Sequence, residues 1–256
     1  MPLLEVHNLS KSFDGLEAVK NFNLTLSEGE LFGLIGPNGA GKTTIFNLMT
    51  SMLQPDKGHF LINDIDVTNK RPDLLVTHGI ARTFQSVRIF KELSVEDNLR
   101  LASHSTVNYG PIVGLFGLAG YKDQETKLNT YINLLMDKFF IKPYAKTKAS
   151  QLKYLNQRWL ELACAMATSP KILLLDEPTA GMNEQETEKY IDKIQTLRKQ
   201  RGLSILIIEH AIQLIMSICE TVLVMDHGSV IAHGKPHEVQ QDPQVIEAYL
   251  GVKNDA

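Results

Sequence analysis

At 256 residues the chain is long enough for one large α/β domain or two small lobes around a substantial core. Hydrophobic residues make up 43% and charged residues 21%, the balance of a soluble globular protein, and the net charge of −3 offers no basic excess for nucleic acid. The two cysteines, Cys164 and Cys219, lie in apolar helical patterns and read as buried thiols, which fits a reducing cytoplasm and excludes a disulfide scaffold. Met1-Pro2-Leu3-Leu4-Glu5-Val6 has no basic leader ahead of an apolar stretch, so no signal peptide is expected. No segment approaches the ~20 apolar residues that span a bilayer. The nearest, residues 112–119, is short and broken by glycine, so other chains would do any spanning.

Residues 3–8 and 22–26 alternate apolar and polar positions as half-buried strands do, with Phe13-Asp14-Gly15 as a turn between them. Phe13 reads as a core aromatic or as an exposed ring on which a purine could stack, and the core reading is favoured by the sequence alone. An apolar run, Leu31–Ile35, leads into Gly36-Pro37-Asn38-Gly39-Ala40-Gly41-Lys42-Thr43-Thr44, and residues 44–49 leave it with helical spacing. That helix stops near Gln54-Pro55-Asp56-Lys57-Gly58, His59 to Val67 alternates as strand, and Pro72 to Arg82 reads as a short helix running into Thr83-Phe84-Gln85. From residue 86 the pattern turns helical. Ser94 to Asp97 resembles a helix start, 104–122 is loop-like, and Leu128, Tyr131, Ile132, Leu135 and Phe139 form one apolar stripe. Residues 86–165 are therefore read as an inserted helical lobe.

The α/β pattern resumes at Lys171 to Asp176, whose unbroken apolar run marks a strand covered on both faces. Asn183 and Glu186 have the spacing of a helix N-cap pair, with Tyr190, Ile191, Ile194 and Leu197 on that helix's buried face. Ser204 to Ile208 is a second buried strand, followed by a helix bearing Ile212, Ile215 and Cys219. Thr221–Met225 and Ser229–Ala232 flank Asp226-His227-Gly228 as a hairpin, and a last helix runs from Asp242 as cap to Gly251 as stop.

Strand, glycine loop and helix at the spacing G-x-x-x-x-G-K-[ST] form a polyphosphate cradle. The glycines let backbone N–H groups turn inward, and the helix N-terminus adds its dipole. Lys42 is placed to reach the β and γ phosphates, and the Thr43 hydroxyl to hold Mg²⁺. Asp176, ending a buried strand, supplies a second metal contact, and Glu177 beside it takes a proton from an attacking water. Glu209-His210 caps the next buried strand, which aims His210 at the same crevice as a γ-phosphate contact. Gln85 completes the metal shell or positions water. The other histidines have no ligand-like spacing and are read as surface residues.

The ordered set of Gly36–Thr44, Gln85, Leu175-Asp176-Glu177-Pro178-Thr179-Ala180-Gly181 and His210 around a helical insert resembles the ATP-binding subunit of an ABC transporter over essentially the whole chain. Ala180-Gly181-Met182-Asn183, the long 100–125 segment and the ending Asp242–Gly251 are similar to subunits that serve branched-chain amino acid and urea/amide importers. The resemblance implies a P-loop NTPase fold with a RecA-like core (residues 1–85 and 166–256), an N-terminal antiparallel β-subdomain and an inserted helical subdomain (86–165). It implies that Phe13 stacks the adenine, Gln85 senses Mg²⁺ and couples to a permease, Glu177 is the general base and His210 holds the γ-phosphate of ATP. Gly36, Asn38, Gly39, Ala40, Gly41, Lys42, Thr43 and Thr44 would line the nucleotide, with Thr43, Gln85 and Asp176 as the metal set. The chain would sit on the cytoplasmic face of the membrane, touching it only through permease subunits.

The resemblance also implies head-to-tail dimers, in which each glycine loop is completed by the other subunit's Leu-Ser-Gly-Gly-Gln signature. Here the matching stretch is Leu152-Lys153-Tyr154-Leu155-Asn156. Tyr154 is similar to importer relatives. Leu155 puts a branched side chain where the family's glycine has none. Lys153 keeps a donor in place of the serine, on a long flexible stem. An impaired signature is the expectation, Lys153 acting as a substitute phosphate clamp the alternative. Hence the expected assembly is a heterodimer with unequal sites, and low ATP turnover by the chain alone. The competing classes are a regulatory, largely non-hydrolytic nucleotide-binding subunit and a non-transport ABC protein.

Overall fold

The computed structural model describes residues 2–106 and 121–250. The chain divides into two compact units, Met1–Arg82 with Lys171–Ala256, and Thr83–Pro170. Gln85 therefore belongs to the second, helical unit.

The first unit holds two sheets. β1 (Pro2–Phe13), β2 (Leu16–Ser27), β4 (Lys57–Ile62) and β5 (Ile65–Asp66) form an antiparallel sheet in the order β2-β1-β4-β5. Both β1 and β2 run longer than the alternation alone marks, and the tight Asp14-Gly15 turn joins them. The second sheet has the order β10-β9-β3-β8-β7-β6, from β3 (Leu31–Ile35), β6 (Ile80–Arg82), β7 (Ile172–Asp176), β8 (Ser204–Ile208), β9 (Thr221–Asp226) and β10 (Ser229–Gly234). Its strands are parallel except for the β9–β10 hairpin at one edge. β3, β7 and β8 are buried at every position, which is why their sequences are continuous apolar runs instead of alternations.

Helix α1 (Lys42–Met49) packs in the core that the two sheets share. Ile45, Phe46, Leu48 and Met49 join Leu4, Phe22 and Phe60 of the first sheet and Phe32, Leu34 and Leu174 of the second in one cluster. Each such side chain is worth roughly 1.5–3 kcal/mol on burial, so the helix that opens at the glycine loop is anchored by the molecule's main core. The stretch 72–82 departs from the sequence reading: only α2 (Pro72–Thr77) is helical, and Gly79, at φ 91°, turns the chain into the edge strand β6.

Past the second unit, α6 (Glu184–Arg201) starts in the expected capping box, with Asn183 Oδ1 accepting from the Glu186 amide at 3.0 Å and Glu186 accepting from the Asn183 amide at 3.1 Å. α7 (Ile212–Ile218), α8 (Pro236–Val239) and α9 (Pro243–Leu250) complete the first unit. The expected stop at Gly251 lies outside the described residues.

The helical unit contains α3 (Val95–Ala102), α4 (Tyr121–Lys138) and α5 (Tyr154–Ala167). Ser94 caps α3 by accepting from the Asp97 amide at 3.1 Å. The α4 stripe is buried at Leu128, Ile132, Leu135 and, just past the helix, Phe139, while the Tyr131 hydroxyl reaches the Met166 carbonyl at 3.2 Å. Most of the 104–122 segment read as a loop, residues 107–120, lies outside the described residues. No helix among the described residues is long and apolar enough to cross a membrane.

Candidate functional site

β3, β7 and β8 run parallel, with Asp176 beside Ile208 and Leu34 beside Ile208 in register. The residues that follow these three strands therefore emerge at one end of the sheet: the glycine loop after β3, Glu177 after β7 and His210 after β8. Ligands gather at such carboxyl ends in parallel sheets. A cleft of about 190 Å³ opens there, lined by Ala18, Asn38, Gly39, Ala40, Gly41, Lys42, Thr43, Thr44, Glu177 and His210.

The loop's geometry demands glycine at two points. Gly36 has φ 154°, and a Cβ there would stand 2.1 Å from the Met225 carbonyl oxygen. Gly41, the N-cap of α1, has φ 103°, and its Cβ would meet the Ala18 carbonyl oxygen at 2.4 Å. The helix starts at Lys42, two residues before the sequence reading placed it, so its unpaired first-turn amides open onto the cleft lining. Lys42 Nζ donates to the carbonyls of Gly36 at 2.6 Å and Pro37 at 2.9 Å. Burial pushes its pKa down, opposed by the charges of Glu177 and Asp176. A polyphosphate in the cleft would add anionic charge beside this buried ammonium. Tyr249 of α9 backs the loop from behind. Burial pushes its phenol up to about 12 against the opposing effect of the Gly36 amide, which donates to it.

Asp176 is 2% exposed and pairs through Oδ2 with Arg82 Nη2 at 2.7 Å. Arg82 also donates from Nη1 to Asn47 at 2.8 Å and Thr50 at 3.2 Å, so β6, β7 and α1 are tied together below the cleft. The other carboxylate oxygen, Oδ1, is buried without a hydrogen-bond partner. An uncompensated buried carboxylate oxygen costs free energy unless a cation or donor meets it. With the Thr43 hydroxyl exposed in the cleft lining, this oxygen fits a hard cation of the Mg²⁺ type. Among the described residues no group of three or more His, Cys, Asp or Glu makes a self-sufficient metal cage, as expected where substrate phosphates and water supply most of the shell.

Glu177 takes φ 47°, a left-handed conformation that few non-glycine residues adopt. Its amide donates to the Ile208 carbonyl at 2.9 Å, which fixes the chain where it leaves the strand end. Glu177 Oε1 lies 2.8 Å from His210 Nε2, with the glutamate side chain 10% and the histidine 50% exposed. The histidine therefore presents one face to Glu177 and the rest to the cleft. Behind them, Glu209 accepts from the Thr179 amide at 2.9 Å and the Thr179 hydroxyl at 2.7 Å. This clasp holds the segment that carries Glu177 against the one that carries His210.

Lys42, Thr43, Glu177 and His210 thus meet in one cleft, with Asp176 beneath it. Phe13 is not a core aromatic: at the end of β1 it is 41% exposed, because the tight turn that follows carries the ring clear of the sheet's buried face. Its ring has Lys11 Nζ 5.7 Å from the centroid and is free to stack a planar ligand. Gln85 and the signature residues lie in the helical unit. There Lys153 is the N-cap of α5 and makes no side-chain cap, Tyr154 opens the helix 43% exposed, and Leu155 and Asn156 are half-buried. Sequence reasoning gave Arg82 no role and named Glu209 only as the neighbour of His210, missing its hold on Thr179. An arginine ending a three-residue strand and a glutamate before a histidine carry no spacing signal of their own.

Comparison with known proteins agrees with this geometry. The ABC transporter family profile matches residues 19–180, and that of the branched-chain amino acid ATP-binding cassette transporter matches residues 229–253. The chain is 38% identical over 98% of both lengths to the high-affinity branched-chain amino acid transport ATP-binding protein BraF of Pseudomonas aeruginosa. It is 39% identical, again over 98% of both lengths, to LivG, the protein of the same description in Escherichia coli K12. Its fold superposes with a TM-score of 0.83, at 29% identity and over 98% of this chain and 99% of the other, on the crystal structure of the ADP conformation of MJ1267, an ATP-binding cassette of an ABC transporter. A P-loop at the carboxyl end of a mixed sheet, Glu177 and His210 in the same cleft with Asp176 beneath, and this likeness along nearly the full length lead to one conclusion: the chain belongs to the ABC transporter family, as an ATP-binding subunit.

Proposed function

We propose that this chain hydrolyses ATP to drive import of a small amino acid-like solute through separate permease subunits, from the cytoplasmic face of the membrane. The observation that carries the enzymatic part is the convergence of Lys42, Glu177 and His210 on one cleft, with Glu177 and His210 2.8 Å apart. The full-length similarity to BraF and LivG, together with the family match over residues 229–253, supports a branched-chain or otherwise apolar amino acid as cargo. The cargo itself would be read by the permease.

In this mechanism the triphosphate lies along the amides of residues 38–44, and Lys42 turns from the Gly36 and Pro37 carbonyls to the β and γ phosphates. Phe13 stacks the adenine. Thr43, Asp176 Oδ1 and Gln85 would hold Mg²⁺, which supplies neutralisation of the phosphate oxygens. Glu177 accepts the proton of the attacking water, and His210 orients that carboxylate and contacts the γ-phosphate. Most of the rate enhancement comes from positioning and charge stabilisation.

The signature favours unequal sites. Leu155 half-buries a branched side chain in the first turn of α5, the point where a partner's phosphate would approach closely. In a heterodimer the Lys42–Glu177 site, completed by the partner's signature, turns over, and the site completed by Lys153–Asn156 binds ATP and turns over slowly. A regulatory, largely non-hydrolytic subunit is the second reading, favoured by the same Leu155. The test is to isolate the complex from membranes through a tag on this chain and compare its ATP turnover with that of the free chain. The proposal expects a second, different ATP-binding subunit and a permease in the complex, and turnover at least about tenfold above the free chain. Robust cooperative turnover by the free chain would overturn the unequal-sites reading, and equal turnover in both samples would leave the regulatory one.

A further inference from the structure

The helical unit contains a buried charge cluster for which the reaction as derived has no use. Arg158, four residues into α5 from Tyr154, is 0% exposed. Its Nη1 donates to the Phe84 carbonyl at 2.7 Å and its Nη2 to the Gln85 carbonyl at 2.6 Å. Its Nε donates to the Tyr154 hydroxyl at 2.8 Å, and its guanidinium carbon stands 5.3 Å from the Tyr154 ring centroid. Glu161, one turn further on and 4% exposed, balances the charge at 3.1 Å. The other oxygen of Glu161 accepts from the amides of Phe84 at 3.3 Å and Arg88 at 3.0 Å. Burial pushes the Glu161 pKa up, against the Arg88 amide and the Arg158 charge.

A buried ion pair is weak evidence of stability, since apolar residues of similar volume often serve as well or better. What this pair achieves is a connection. The carbonyls of Phe84 and Gln85 are gripped by a planar, rigid fork whose third edge is held by the first residue of α5, while Glu161 accepts from the Phe84 and Arg88 amides on either side. The backbone of Gln85 is set by Arg158, and Arg158 is set in part by Tyr154, which is exposed at the helix N-terminus.

We propose that Arg158 is a positioning residue for Gln85, and that the Tyr154 hydroxyl is its handle. A nucleotide bound by a partner against this chain's signature shifts the first turn of α5, the guanidinium turns with the Tyr154 hydroxyl, and the Gln85 backbone follows. The signature of one site thereby reports to the metal-sensing glutamine of the other. The Tyr154 side chain, which fills a position where the family has glycine, has a physical reason: glycine has no hydroxyl to offer. This inference rests on the reading that the signature meets a partner's nucleotide and that Gln85 serves the metal.

The test uses the assembled complex and Mg-ATP. Tyr154→Phe keeps the ring and removes only the hydroxyl. It is expected to lower turnover about fivefold in the native background and less than about 1.5-fold in a Gln85→Ala background, the non-additivity of residues acting through one another. The same fold loss in both backgrounds, or none in the native one, overturns the relay. Where Gln85→Ala leaves too little turnover to compare, the metal requirement decides. Tyr154→Phe and Arg158→Lys should each raise half-saturating Mg²⁺ about threefold while half-saturating ATP stays put, and an equal rise in both, or no rise, overturns the proposal. Leu155→Asp separates the two layers. If it leaves turnover intact, the signature meets no nucleotide and the reading beneath this inference falls; if it abolishes turnover while Tyr154→Phe acts equally in both backgrounds, only the relay falls.

Discussion

The glycine loop and the stretch proposed as signature both open helices, α1 and α5, and they are prepared in opposite ways. At the loop, the lysine, the acidic pair and the histidine are all in place, and the tight spots at Gly36 and Gly41 leave no room for a side chain. At the signature, the N-cap makes no side-chain bond, and the first turn carries Tyr154 and Leu155 where close approach favours bare backbone. The first surface is held by the main hydrophobic core through α1, the second by a buried ion cluster around Arg158. This contrast is what the proposed heterodimer with unequal sites rests on.

Substitutions on both sides put this contrast to the test. The largest effect is expected from Glu177→Gln, which removes the base without changing size: turnover of the complex should fall by about 10²–10⁴-fold while ATP stays bound, read by single-turnover hydrolysis against nucleotide retention. Retained turnover would move the base elsewhere. Next comes Arg82→Ala, which strands the Asp176 carboxylate in the interior and should cost about 3–5 kcal/mol of stability by denaturant titration. Much of that loss should be recovered on adding Mg-ATP if Asp176 Oδ1 is the metal contact.

Leu155→Gly addresses the other half of the comparison. Restoring bare backbone at the signature should raise turnover of the complex by about tenfold, roughly the 1.4 kcal/mol of one improved phosphate contact. An unchanged rate would return the signature to the competent class. The smallest effect is one of pH. In the free chain burial holds the Lys42 pKa below its ordinary value, and bound phosphates would raise it again. Between the free and bound pKa values, binding takes up a proton, so ATP affinity should fall as pH rises through that window, by at most tenfold per pH unit. Calorimetry in buffers of different ionisation enthalpy measures the uptake, and Lys42→Arg should abolish it.

The glycine loop, the strand-end acids and the Asn183 capping box were legible because each depends on neighbours a few residues away. A period of two or 3.6, a cap three residues from its partner and a glycine at a fixed offset are local geometry written directly in order. Pro72–Arg82 misled for the same reason: its apolar residues suit a helix, and only pairing with β7, Ile80 beside Ile172, makes the last three a strand. Phe13 misled because aromatic residues are usually buried, and nothing local indicates which way a ring at a strand end will face.

Residue order alone marked a glycine loop, an acidic pair and a histidine, each at the end of a recognisable strand. What the tertiary structure alone decided was who holds these groups in place. Arg82 reaches Asp176 because β6 lies parallel to β7 with Arg82 beside Leu174, one pleat from the aspartate on the same face. Arg158 reaches Gln85 because α5 brings its buried face to a segment 73 residues earlier. Such partners are chosen by packing across long stretches of chain, and a side chain's partner over that distance leaves no period or spacing in the sequence to be read.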